Sequence, residues 1–299
     1  MRTRAAFTMI ELIFVIVVMG IIGKFGVEFL AQAYKSFIFS NVNNALQSKS
    51  ASAVEFIASR LQYRIKDSVI ARDLAVPETR AIGSASGEAF TVLEWIGSDI
   101  DGFRGTTTPN WSGIIDLDAG NNALFNSPET NTTAVNALIS TLSYSNSTIN
   151  DAALYFIGSN SDYTRYAWDN NGTALTAHST ALIHPINSNA NPDEFVTGIG
   201  GVDFSGFDIY EYYKLAWTAY AIVYTPGTNN MGTLTLWYDY QPWKGEDYAT
   251  DGRSAVIMED VSAFQFMSIG SIIKIQVCTK TDLLKSEDEY SLCKEKTIF

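Results

Sequence analysis

A glutamate four residues into an otherwise apolar run constrains this chain more than any other feature. From Phe7 to Gly23 the sequence reads FTMIELIFVIVVMGIIG, seventeen residues interrupted only by Thr8 and Glu11, and Lys24 follows. That run is slightly short for a bilayer span of about 20 residues. Lys24 can snorkel, and the mostly apolar continuation to Leu30 lengthens the reach. Arg2 and Arg4 precede the run, so the positive-inside bias keeps them cytoplasmic and sends the rest across. A secretory signal peptide would explain the basic start and the apolar run, but Lys24-Phe25-Gly26 is no small-residue cleavage site. An ordinary signal anchor explains hydrophobicity and orientation and leaves the acid unexplained. A carboxylate in hydrocarbon costs roughly 2.5–3.5 kcal/mol at mid-span and less near the edge.

Beyond the apolar run a helical stripe continues. Leu30, Phe37, Val42, Leu46, Val54, Ile57, Leu61, Ile65 and Val69 recur mostly at steps of three, four, seven or eight. The first proline is Pro77. The spacing predicts one helix from about Phe7 to about Arg72, roughly 100 Å long at 1.5 Å per residue. A bend near Gly20, Gly23 and Gly26 is the alternative. Arg60, Arg64, Lys66 and Arg72 read as the solvated face of that helix.

From about Pro77 the pattern changes to short β-like runs between turns. Ala89 to Ile96 and Ala153 to Ile157 are candidate strands, separated by Asn-, Ser-, Thr- and Gly-rich stretches (99–150 and 158–197) that read as long surface excursions. Lys214 to Tyr224 and Thr233 to Tyr240 read as a hairpin with a long loop. In its second arm Leu234, Leu236, Tyr238 and Tyr240 share one face. Val256 to Met267 and Ile272 to Thr279 form a second pair. Ile273, Ile275 and Val277 share a face there, with Cys278 pointing the other way. The fold class is α+β: a long N-terminal helix, its first half membrane-spanning, packed on an antiparallel β-sheet domain with long loops.

The stretch Ala6-Phe7-Thr8-Met9-Ile10-Glu11-Leu12 resembles the signature of the type IV prepilin and pseudopilin family. That resemblance implies a basic leader (1–6) cut between Ala6 and Phe7 by a prepilin peptidase, and N-methylation of Phe7. Thr8 and Glu11 become the second and fifth mature residues, the positions the family uses in assembly. The family usually has Gly before the cut, where this chain has Ala6. The domains follow: leader 1–6, transmembrane helix 7–31, periplasmic continuation of the helix 32–76, and a β-rich globular domain 77–299. The late β-pairs and cysteine-bearing tail are similar to the larger minor members, the J-type minor pseudopilins of type II secretion and the W-type minor pilins. The implied role is a structural subunit, not an enzyme, that helps initiate or cap a periplasmic pilus-like filament. It would start in the bacterial inner membrane as a single-pass protein. Its partners would be other minor and major pilins or pseudopilins, the peptidase and the inner-membrane assembly platform. A tip adhesin or a DNA-uptake pilin using the same anchor is the alternative.

The remaining chemistry is sparse. Net charge is −12, and losing Arg2 and Arg4 takes it to −14, which argues against bulk nucleic-acid binding. Cys278 and Cys293 are the two cysteines. Outside the cytoplasm a disulfide between them is the default. His178 and His184 read as incidental loop histidines. Gly198-Ile199-Gly200-Gly201 lacks the strand-to-helix context of a phosphate site and reads as a turn. Asp99 and Asp101, and again Asp116 and Asp118, place carboxylates two apart as calcium loops do, without the closing Glu of the full pattern. Solvated turns are the favoured reading, and no cofactor is expected unless calcium binds there. Trp217, Trp237 and Trp243 are either a sugar-binding platform or the core and rim of a sheet, and packing is the commoner role.

Overall fold

The computed structural model describes residues 8–73, 79–85, 89–168, 172–228, 231–280 and 291–299. The expected leader, residues 1–6, and Phe7 beyond the expected cut lie outside the described residues. Helix α1 (Met9–Leu61) runs unbroken through Gly20, Gly23 and Gly26. It ends some ten residues earlier than its apolar stripe suggests. The Ile65 N–H donates to Ile96 O at 2.9 Å, which pulls the chain onto a sheet. The buried Arg64 folds back, its Nη1 donating to Leu61 O at 2.7 Å, so a side chain satisfies a carbonyl of the last turn. Ile65 and Val69 keep helical spacing by coincidence, and the next segment is a strand. The four basic residues are therefore no solvated helix face: Arg64 is buried, and Arg72 is ion-paired with Glu94.

The strands are β1 (Ile70–Arg72), β2 (Thr79–Ala81), β3 (Val92–Gly97), β4 (Asp116–Asn121), β5 (Leu124–Asn126), β6 (Ala153–Phe156), β7 (His184–Ser188), β8 (Glu194–Thr197), β9 (Tyr213–Ala216), β10 (Thr218–Thr225), β11 (Gly232–Tyr238), β12 (Arg253–Ile269), β13 (Ile272–Lys280) and β14 (Ser291–Ile298). Short helices α2 (Ile100–Arg104) and α3 (Thr132–Leu142) lie between them. Among the described residues, one antiparallel sheet has the order β14-β13-β12-β11-β10-β3-β1-β2 and a second the order β4-β5-β8-β7-β6-β9.

Strand alternation makes layers of these sheets. In β10, Ile222 points to the α1 side while Ala219, Ala221 and Val223 point the other way. Ala53, Val54, Ile57, Ala58 and Leu61 of α1 pack against Leu93, Trp95, Leu234, Leu236 and Ile275 of the first sheet. On its far face, Val92, Ile96 and Val223 meet Ala153, Tyr155 and Ala216 of the second sheet. A third core gathers Phe125, Ile139, Phe156, Phe195 and Phe204. Stretches 99–150 and 158–197 thus supply most of the second sheet and its core, not surface excursions. Their apolar residues come in runs of two or three among Asn, Ser and Thr, too short to show a period.

The expected hairpin is β10–β11, but its first arm is two strands. The chain changes sheets at Trp217: β9 pairs with β6, and β10 pairs with β3. Tyr240 also leaves the face assigned to it. Asp239 has φ 63°, a left-handed conformation that ends the alternation. Leu234 and Leu236 face α1, while Tyr240 enters the core between the sheets.

Candidate functional site

The first turn of α1 carries the predicted assembly residues. Thr8 is the N-cap, with extended backbone. The Glu11 carboxylate accepts the Thr8 N–H at 2.9 Å and the Thr8 hydroxyl at 2.8 Å. An acid at this position satisfies an otherwise orphaned donor and complements the positive end of the helix dipole. The structure brings Thr8 and Glu11 together and gives the acid a local partner that the sequence reading did not foresee.

Beyond this turn, α1 is uncovered. Every residue from Met9 to Ala45 is exposed or half-exposed, and Leu46 is the first one buried. That stretch is about 56 Å long at 1.5 Å per residue. It is long and apolar enough to span a membrane. The exposed side chains include Phe25, Phe29, Leu30, Tyr34 and Phe37.

At the opposite end of the sequence, Cys278 of β13 and Cys293 of β14 form a disulfide with Cα atoms 4.0 Å apart. They sit directly opposite in register. Cys293 therefore belongs to a strand, not to a charged tail. Leu292, Lys294, Lys296 and Ile298 share the α1 side of that strand, and Lys296 reaches Glu55 of α1 at 2.6 Å.

The remaining candidates resolve differently. Asp116 spends an oxygen on the N–H groups of Asp118 (3.0 Å) and Ala119 (3.1 Å), a local turn within β4. Asp99 is buried and caps α2, accepting from Gly102 N and Trp111 Nε1, each at 3.1 Å. Burial pushes its carboxyl up. Among the described residues no three His, Cys, Asp or Glu side chains are placed to hold a metal ion. Trp217 and Trp243 are buried and Trp237 is half-buried, so the three pack and form no exposed platform.

The histidines are not loop residues. Both are fully buried, with rings 5.5 Å apart, and His184 stacks on Phe207 at 3.9 Å. His178 Nε2 meets Thr197 Oγ1 at 2.9 Å, while neither Nδ1 has a hydrogen-bond partner. Burial lowers both: His178 to about 4, and His184 well below the ordinary value.

Among the buried polar clusters that the sequence reading missed is one around Glu94. Glu94 accepts from Arg72 Nε at 2.7 Å and from Tyr240 OH at 2.8 Å, and Arg72 Nη2 donates to Trp168 O at 2.9 Å. Burial raises the Glu94 carboxyl, with Arg72 opposing. The signal was a lone acid inside VLEWIG. The partners are distant in sequence and could not be read there. Every carboxylate oxygen of this cluster is spent within the fold. No family model matches the chain, and neither a curated protein nor a solved structure matches it.

Proposed function

We propose that the chain is a minor subunit of the type IV pilin and pseudopilin class, which helps initiate or cap a pilus-like filament built from the inner membrane. The uncovered length of α1 carries this reading. A hydrocarbon core about 30 Å thick accounts for roughly half of the 56 Å that has no protein cover. The rest, with Tyr34 and Phe37 exposed, calls for other protein, and parallel helices of neighbouring subunits would supply it. The first turn supplies the register. Cleavage before Phe7 would create an α-amino group one residue from the Thr8 cap. In a stack of helices that cation could meet the Glu11 carboxylate of the next subunit. Such a pair at 4 Å gains about 4 kcal/mol at an effective dielectric of 20, before desolvation.

Two measurements test this. Intact mass should show a mature chain that begins at Phe7 with a methylated amino group. Glu11→Gln keeps the cap, because Gln serves equally at this position, and removes the charge. The variant should insert, fold and form its disulfide, yet be lost from filaments. A mature chain that retains Arg2 and Arg4, or a variant that assembles like the wild type, overturns the reading.

A further inference from the structure

Strand β14 ends the first sheet with an edge that nothing among the described residues covers. All eight of its residues pair with β13 without a register shift. The opposite edge, β2, is three residues long. A long regular edge is a template for another strand unless it is blunted by a bulge, a proline, charged side chains or a cover. Of the three charges on β14, Glu295 and Lys296 are already paired within the fold, which leaves Lys294 as the one a partner must match.

The disulfide fixes which backbone groups are free. Cys278 and Cys293 lie 4.0 Å apart at Cα, the close spacing of a non-hydrogen-bonded antiparallel pair. The N–H and C=O of Cys293 therefore point away from β13, as do those of Glu295 and Thr297. All three residues are exposed.

We infer that this edge takes up an extended strand from a different polypeptide, one that carries an acidic side chain opposite Lys294. Strand addition is a recurrent recognition mode in which backbone hydrogen bonds give affinity and alternate side chains give selectivity. The charges choose the partner. Glu295 is paired with Lys274 at 2.7 Å and Lys296 with Glu55. Among the described residues Lys294 has no ion-pair partner, and it lies on the α1 side of the strand. A second copy of this chain is a poor occupant. Opposed residues must share a face, so two antiparallel registers of paired β14 strands give the longest overlap, seven residues each, and one of them sets Lys294 against Lys294. The other sets Lys294 against Lys296 and Glu295 against Glu295. Like charges directly opposite are destabilising.

The test uses the detergent-solubilised full chain and two labelled peptides of alternating valine and threonine, one with a central glutamate and one with a central lysine. The glutamate peptide should bind at least about tenfold more tightly and should protect the Glu295 and Thr297 amides from exchange. Thr297→Pro removes an outward N–H and leaves the β13 ladder its hydrogen bonds, since proline is tolerated on an edge facing solvent. It should abolish binding with the disulfide intact. Should that variant fail to fold, Lys294→Glu leaves the edge in place and should reverse the peptide preference. Equal binding of both peptides, no binding at millimolar concentration, or binding unchanged in Thr297→Pro overturns the proposal. A concentration-dependent dimer abolished by Thr297→Pro overturns the choice of partner. None of these outcomes touches N-terminal processing or Glu11, so failure here is distinct from failure of the assembly reading.

Discussion

His178 and His184 stand where neither imidazole can be charged without loss. Phe204 and Phe207 pack on them, and the charged groups that act on the pair are Asp203, which favours a charged His178, and Arg165, which opposes a charged His184. In the unfolded chain both titrate near the ordinary 6.5. In the folded chain both titrate far lower. The unfolded state thus binds more protons between about pH 6.5 and pH 4, and stability falls as pH drops through that window. The slope is about 1.4 kcal/mol per pH unit for each histidine. The buried acids Glu94 and Asp99, with raised values, act in the opposite sense. The informative quantity is therefore a difference. Denaturant unfolding at pH 7 and pH 5 should show a steeper acid loss in the wild type than in His184→Leu. Equal slopes would refute a titrating pair. The sequence showed two histidines six apart and a lone glutamate in an apolar strand. It could not show that Phe207 and Tyr240 complete their surroundings, because those partners lie far away in the sequence, Tyr240 146 residues beyond Glu94. Thr8 and Glu11 stood out in the sequence through the family resemblance, while the hydrogen bonds that join them within one turn were not read there.

Among the elements, β14 depends most on a single bond. Its α1 side carries Lys294 and Lys296 as well as Ile298, so burial alone holds it weakly. Closing a loop of about 15 residues is worth roughly 3 kcal/mol in the chain-entropy model. Replacing Cys278 and Cys293 by serine should lower unfolding free energy by about that amount and strip exchange protection first from the β14 amides that face β13, those of Leu292, Lys294, Lys296 and Ile298. The amides of β3, β10 and β11 should stay protected. Uniform loss of protection would show that β14 belongs to the global unit. The late hairpins were legible because β-branched and aromatic residues alternate there. β14 was not, since Lys294-Glu295-Lys296 looks like a solvated tail. The end of α1 was overrun for the converse reason: Ile65 and Val69, between the helix and the first strand, happened to fall at helical spacing, and the hydrogen bond that draws the chain off the helix is accepted by the distant Ile96 O.

The whole molecule has two parts joined end to end, a layered domain and a bare rod. Leu46 opens the core, and among the described residues nothing before it is fully buried. A chain of residues 38–299 should therefore fold, form its disulfide and melt within about 2 °C of the full chain, on the usual scaling of midpoint with stability. A large drop would mean that the rod stabilises the domain. The rod also settles how far the protein can go unaided. Fifteen large apolar side chains stand exposed between Met9 and Leu30. Moving each from hydrocarbon into water costs about 1.5–3 kcal/mol, a total work of extraction of roughly 20–45 kcal/mol. Thermal motion does not supply that. Once such a helix enters a bilayer, residence there is permanent on any biological timescale. It can leave only by exchanging lipid for another apolar surface without a gap, driven by an external source of work.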